Sequence, residues 1–234
     1  MSNEKEKNYY IKKKRTFMRV FDAATTIVKD ILIENFSETK FNELLAEVRK
    51  DFESLLSQIP YVGGKENPLT DNLTNAAMLL PIFRFFEKQG LTFDEIGKMA
   101  YDMYEAFYKV MPPTDDFFSE EYLNQKREYA KNSKLRKYPG DWVYDFIEGD
   151  GKTFTWGVDY SECGIHKFYK SQGCEHLMPI MCIADFAMAR AYGYGLKRTQ
   201  TRAHGAPICD FRYIKDGSNP RAWPPDNLPE FKKK

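Results

Sequence analysis

The sequence predicts an α+β fold in which an N-terminal helical bundle packs with a four-stranded antiparallel sheet and two further helices. Apolar residues recur at helical spacing up to about residue 138. From Trp142 onward, segments in which apolar and polar residues alternate are separated by glycine-containing turns. We expect a single domain over residues 1–234, with a helical part at about 14–138, a sheet-containing catalytic part at about 139–216 and a proline-rich tail at 217–234.

Helical periodicity and helix-end signals place five helices in the first part of the chain. They are expected at about residues 16–35, 41–56, 70–89, 92–111 and 119–138. Thr92 and Glu95 have the spacing of a capping box, and Ser119 is a competent N-cap. The mostly charged residues up to Lys13 are expected to fray or to cap the first helix.

The last third combines strands and helices. Alternating residues on both sides of the turn at Gly149–Gly151 predict a β-hairpin. Helices are expected over Glu162–Gln172 and Glu175–Tyr192, and strands over about Leu196–Arg202 and Pro207–Lys215. The tail from Pro220 onward is expected to wrap the surface.

Composition excludes several classes of function. The chain has 35 basic and 34 acidic residues, so it lacks the basic excess typical of nucleic-acid binders. Its longest apolar stretch, Ala76–Ile82, is too short to span a membrane, and its N-terminus is not signal-like, so we expect a cytoplasmic protein. The four cysteines form no CxxC pair and are expected to be free thiols. The expected partner is a small-molecule substrate, and homo-oligomer formation stays open.

Reactive side chains are concentrated between Cys163 and Arg212. Cys182 lies three residues before Asp185 in a predicted helix, so both side chains should project from one face. That pair suits a thiol nucleophile beside a carboxylate base. The alternative is a small buried Cys182 and a structural Asp185, since free cysteine is among the most buried residue types.

The last predicted strand offers further polar groups. Alternation puts Asp210 and Arg212 on one face, where they could bind a zwitterionic ligand or form an ordinary surface salt bridge. Cys209 lies on the opposite face. His204, in the turn before this strand, could act as an acid or base or be a plain surface residue. The cysteine spacings match no standard zinc site, and no phosphate loop is present, so no cofactor is expected and no metal ligands are assigned.

Four short motifs resemble those of the L-2-amino-thiazoline-4-carboxylic acid hydrolases. They are Cys182-x-x-Asp185, Lys197-Arg198-Thr199, Gly205 and Cys209-Asp210-Phe211-Arg212. The segment Asn72–Met111 is more weakly similar to the helical region of that family. The resemblance implies hydrolytic opening of a 2-amino-thiazoline carboxylate ring to N-carbamoyl-cysteine, a step in bacterial cysteine formation.

Such a ring opening needs a nucleophile or base, a proton donor and a cation for the substrate carboxylate. We therefore assign Cys182 as the nucleophile or a group next to it, Asp185 and Asp210 as base and amidine-binding carboxylates, and His204 as proton shuttle. Either Arg198 or Arg212 would hold the substrate carboxylate. The substrate-binding set is completed by Cys209 and Cys174, and whether Cys182 or Cys209 is the nucleophile stays open.

A second hypothesis is a small-molecule sensor or carrier, because the C-terminal third also loosely resembles vinyl-reductase-like binding modules. Such a module would bind its ligand without turning it over. A third hypothesis, a metalloprotein with Cys and His ligands, stays open.

Overall fold

The computed structural model describes residues 8–111, 113 and 116–232 and confirms the α+β fold class. The first part contains seven helices within the described residues: α1 (Tyr9–Lys12), α2 (Lys14–Ile27), α3 (Lys29–Asn35), α4 (Glu38–Leu55), α5 (Thr70–Lys88), α6 (Phe93–Val110) and α7 (Glu120–Ser133). The second part follows as β1 (Val143–Glu148), β2 (Trp156–Glu162), α8 (Gly164–Ser171), α9 (Met178–Cys182), α10 (Ala184–Tyr192), β3 (Gly195–Lys197), β4 (Cys209–Ile214) and α11 (Pro229–Lys232). No helix in these described ranges is both long and apolar enough to cross a membrane.

The four strands form one antiparallel sheet in the order β1-β2-β4-β3. Trp156 lies opposite Tyr213, and Tyr160 lies opposite Cys209. Since residues directly opposite each other share a face, the aromatic residues of β2 and the Cys209 side of β4 line one face of the sheet. We call this the inner face, because Trp156 and Cys209 are buried there.

The helical bundle and the sheet share one connected apolar core, which runs from Tyr10 to Leu228. Helix α10 packs against α6 on one side and β3 on the other, while α7 packs on β1. The predicted capping box is present, with Thr92 and Glu95 bonded reciprocally at the start of α6. Helix α10 is thereby held between the bundle and the inner face.

The start of the chain differs from the prediction in two ways. The helix expected over Thr16–Asn35 is interrupted at Val28, after the β-branched run Thr25, Thr26 and Ile27. Both threonine hydroxyls bond back to the Asp22 carbonyl, a pattern that bends helices. Of the residues expected to fray, 1–7 lie outside the described range, but Tyr10 is buried in α1 and donates to Pro60 O at 3.1 Å.

The tail was expected to wrap the surface, and this expectation is wrong for three of its residues. Trp223, Leu228 and Glu230 are all buried. The Trp223 ring fills a notch in α6 at Gly97, where a Cβ atom would overlap the indole. Glycine at this helix position is therefore a packing requirement rather than a helix-ending signal.

The substitution Gly97→Ala is expected to destabilise the protein by roughly 1–3 kcal/mol, because the methyl group would displace Trp223. Helix propensity alone predicts the opposite sign, a gain of about 0.5–1 kcal/mol. Chemical denaturation measures the free energy of unfolding. The neighbouring exposed change Lys98→Ala serves as control and should stay within about 0.5 kcal/mol of the parent; a stabilised Gly97→Ala protein would contradict the packing.

Candidate active site

The predicted helix Glu175–Tyr192 is broken between Cys182 and Asp185. Cys182 ends α9, and Asp185 lies in the first turn of α10. The Phe186 N–H bonds to Ile183 O at 3.1 Å, while the Cys182 carbonyl accepts a bond from Arg198 Nη2 at 2.9 Å. In a continuous helix the Cys182 carbonyl would accept a hydrogen bond from the Phe186 N–H. Because the Arg198 guanidinium binds this carbonyl instead, the chain turns at this point.

Arg198 follows β3 and is fully enclosed, with 0% of its side chain exposed. It donates from Nη1 to Asp185 Oδ2 at 2.9 Å, and from Nε and Nη2 to Glu230 Oε1 at 2.9 and 2.6 Å. Its guanidinium carbon lies 4.8 Å from the ring centroid of Phe186 and 4.9 Å from that of Phe211. A group so enclosed does not reach a ligand, so Arg198 does not fit the expected role of carboxylate clamp.

Asp185 combines two properties that seldom occur together. Its side chain is 37% exposed, yet burial raises the pKa of its carboxyl above the ordinary value, against the opposing charge of Arg198. The carboxyl is therefore partly exposed and yet close enough to surrounding protein for burial to raise its pKa. Its Oδ1 atom has no hydrogen bond within the described chain and is free to meet a ligand.

Side chains from both layers surround this carboxyl. Burial is the main cause that raises the pKa of eight tyrosine and cysteine side chains, and the charge of Asp185 raises each of them further. They are Tyr104, Tyr108, Tyr160, Cys163, Cys182, Tyr194, Cys209 and Tyr213. We use the name Asp185 recess for Asp185 together with these eight side chains, whose pKa values its charge affects.

The thiols of the recess come from three different segments. Cys163 precedes α8, and burial raises the pKa of its thiol. The Cys209 Sγ accepts from the Arg202 N–H at 3.2 Å. Burial raises the pKa of Cys209 to about 12 and that of Cys182 well above its ordinary value, so these thiols are protonated at neutral pH.

His204 lies at the edge of this group. Its Nδ1 is 2.9 Å from Thr201 Oγ1, and its ring centroid is 4.5 Å from that of Phe231. Burial and then the charge of Arg198 lower the pKa of His204, so the imidazole is neutral at pH 7. It is half-buried and can exchange a proton with solvent.

Three other predicted site residues lie apart from the recess. Asp210 and Arg212 are on the outer face of the sheet, as the alternation along β4 requires. Asp210 accepts bonds from the Thr199 and Gln200 N–H groups at 2.8 and 2.9 Å, which ends the strand expected over Leu196–Arg202 at Lys197.

On the same outer face, Arg212 donates to Asp159 Oδ1 at 2.7 Å. Cys174 is buried elsewhere, where its Sγ accepts a bond from Arg84 Nε at 3.2 Å. The prediction that Asp210, Arg212 and Cys174 belong to the same site as Asp185 is therefore corrected. The predicted site residues that do come together are Cys182, Asp185, Arg198, Cys209 and His204.

Sequence reasoning gave no role to several residues of the recess. Cys163 was noted only as part of the reactive region, although its place before a helix was a usable signal. The hydroxyl groups of Tyr108, Tyr160 and Tyr213 form no hydrogen bond within the described ranges, and nothing in their spacing marks them. Glu230 belongs to a charged tail that gave no indication of burial.

A carboxyl and several thiols whose pKa values are raised by burial, within an α+β fold, form the candidate site of this chain. The sequence profile of the L-2-amino-thiazoline-4-carboxylic acid hydrolase family matches residues 72–213, which is more than half of the chain. The chain belongs to this family, as its motifs predicted. No functionally curated protein and no solved structure was found to match it. Cys182, Asp185, Arg198 and Cys209 lie inside the matched region, whereas Glu230 lies beyond its end.

Alkylation of Cys163, Cys182 and Cys209 by iodoacetamide is expected to be slow at pH 7.5 in the folded protein, because their raised pKa values keep them as thiols. The rates should still be rising above pH 9. Peptide mass spectrometry measures each site, and the urea-unfolded chain provides the reference rate. Labelling of Cys182 at the unfolded rate at pH 7.5 would contradict the desolvated recess.

Proposed function

We propose that this chain hydrolyses a small cyclic amidine carboxylate, opening a ring of the 2-amino-thiazoline-4-carboxylate type to an N-carbamoyl-cysteine type of product. Family membership supports the reaction class. The observation that carries the proposal is the Asp185 carboxyl, which is accessible, desolvated and bordered by thiol and phenol groups. An active-site carboxylate with a raised pKa is a typical general base or acid.

The reaction balances with water as the only co-reactant. The water oxygen bonds to C2, the amidine-like carbon, and the bond between C2 and the ring sulfur breaks. One water proton goes to the departing sulfur, and the other is lost as the new carbonyl group forms and a ring nitrogen gains a proton. The steps therefore need one group that accepts a proton from water and returns it to sulfur or nitrogen.

Asp185 is the base in this proposal. Arg198 holds Oδ2 at 2.9 Å, which leaves Oδ1 to accept the proton from water. Burial raises the pKa of the Asp185 carboxyl, which makes its carboxylate a stronger base than an ordinary aspartate. The carboxylate can also bind the amidine N–H groups, as the sequence analysis assigned.

The thiols serve the substrate without forming a covalent bond to it. Cys182 and Cys209 are protonated and so lack the thiolate that covalent attack requires, and in this proposal water deprotonated by Asp185 attacks C2. We place both beside the ring sulfur, and we assign His204 the exchange of protons with solvent. The hydroxyl groups of Tyr108, Tyr160, Tyr194 and Tyr213, which form no hydrogen bond within the described residues, are the donors that we assign to the substrate carboxylate in place of the two arginines.

The same features favour a second function, ligand binding without turnover. Protonated thiols and an enclosed Arg198 also describe a recess that recognises a small molecule and returns it unchanged. A sensor or carrier would bind 2-amino-thiazoline-4-carboxylate in calorimetry and release no thiol. Release of thiol, detected with a chromogenic disulfide, separates the two functions.

Replacing Asp185 by Asn is expected to lower kcat at least about 100-fold, because the general base is lost. Asp210→Asn is the matched control on the outer face of the sheet, and it should keep kcat within about threefold of the parent. Steady-state thiol release, with circular dichroism to verify folding, gives both values. A larger loss of kcat in Asp210→Asn than in Asp185→Asn would contradict the assignment and favour Asp210 as the base.

The conservative change Cys182→Ser is expected to keep turnover within about tenfold, because water rather than the thiol attacks C2. Rapid quenching followed by intact-mass measurement should show only unmodified protein during turnover. A loss of activity of about 1,000-fold in Cys182→Ser, together with an adduct on Cys182 of the parent protein during turnover, would overturn the water mechanism and establish a covalent one.

A further inference from the structure

We propose that Glu230, in the C-terminal segment beyond the family match, is a positioning residue of the active site that shares Arg198 with Asp185 and thereby keeps Asp185 basic. This inference rests on the proposed function, because it assigns Asp185 the role of base. It adds to the site a residue that the matched region does not contain.

The geometry of Arg198 carries the first step. Its shortest hydrogen bond, at 2.6 Å, goes to Glu230, and a second bond at 2.9 Å goes to the same oxygen. Only one N–H group, on Nη1, points to Asp185. The guanidinium is also fixed in its plane by the rings of Phe186 and Phe211. Most of its hydrogen bonding is therefore directed away from the carboxylate that meets the ligand.

The charges carry the second step. A single buried cation next to a single carboxylate would hold that carboxylate strongly in its ionised form and make it a weak base. With Glu230 as a second anion, the Arg198 charge is divided, and the Glu230 charge raises the pKa of Asp185 further, after the larger effect of burial. Glu230 thus counteracts the acidifying effect of Arg198.

The burial of Glu230 points to a role beyond stability. Its side chain is 0% exposed, and its Oε2 atom has no hydrogen-bond partner within the part of the chain that the structure describes. A buried carboxylate oxygen without a partner is unfavourable, and a buried ion pair is weak evidence for stability.

The C-terminal segment is anchored so that it delivers Glu230 to this place. The Ala222 N–H donates to Tyr101 Oη at 3.0 Å, and Trp223 fills the notch at Gly97. Phe231, next to Glu230, lies against His204. These contacts tie the segment to α6 on one side and to the edge of the recess on the other.

The test is Glu230→Gln in the full chain, because glutamine keeps an acceptor for Arg198 and removes the charge. Asp185 is followed directly by carbon NMR of protein labelled at the aspartate carboxyl carbons, with Asp185→Asn identifying the signal. We expect the titration midpoint of Asp185 to fall by about one pH unit. The acid limb of kcat/KM against pH should move to lower pH by the same amount.

Two controls isolate the effect. Asp226→Asn removes an exposed carboxylate from the same segment and should leave the midpoint unchanged. Glu230→Asp restores the charge and should return the midpoint toward the parent value. Two charged groups, Arg198 and Glu230, face Asp185, and the thiols and phenols of the recess stay neutral across the acid limb. His204 also titrates on the acid side, which is why Asp185 is observed directly.

The outcomes are separable from those of the proposed function. If the parent chain releases no thiol, the proposed hydrolysis fails, while the NMR titration still decides the role of Glu230. An unchanged or raised Asp185 midpoint in folded Glu230→Gln protein would overturn the inference. Failure of that protein to fold would give Glu230 a structural role alone and overturn it as well.

Discussion

The structure of the site depends on one buried guanidinium. Arg198 binds Asp185, Glu230 and the Cys182 carbonyl, so three separate segments of the chain meet at a single side chain. A buried cation is tolerated only when its N–H groups are paired, and these partners supply that pairing. The break between α9 and α10 follows from the same interaction, because Arg198 occupies a helix carbonyl. The position of the Asp185 carboxyl is therefore a consequence of satisfying Arg198.

Desolvation sets the chemistry of the surrounding groups. The thiols and phenols of the recess come from α6, β2, α9, β4 and the loops between, and burial holds all of them in their neutral forms. Asp185 combines partial exposure with a carboxyl pKa that burial raises. A neutral lining around one carboxylate concentrates the basic character of the site in that carboxylate. This is the electrostatic arrangement that a hydrolytic base requires.

The sheet divides the reactive residues of the C-terminal third into two sets. Alternation along β4 sends Cys209 inward and Asp210 and Arg212 outward, and no local flexibility can exchange them. The two residues on the outer face have structural roles, because Asp210 binds the loop after β3 and Arg212 pairs with Asp159. Neighbouring residues of one motif therefore have different positions: Cys209 lies in the candidate site, whereas Asp210 and Arg212 support the structure around it.

The sequence by itself determined the fold class, the helix signals at Thr92 and Ser119, the antiparallel hairpin and the family, because these follow from periodicity, capping and local motifs. It also contained the reason why Asp210 and Arg212 lie apart from Cys209, namely the period of two in a strand. Only the tertiary structure decided that Arg198 is enclosed, that Cys174 pairs with Arg84 and that Glu230 lies beneath Asp185. Those facts depend on which distant segments pack together and on how deeply each charge is removed from water, and neither quantity is encoded in local spacing.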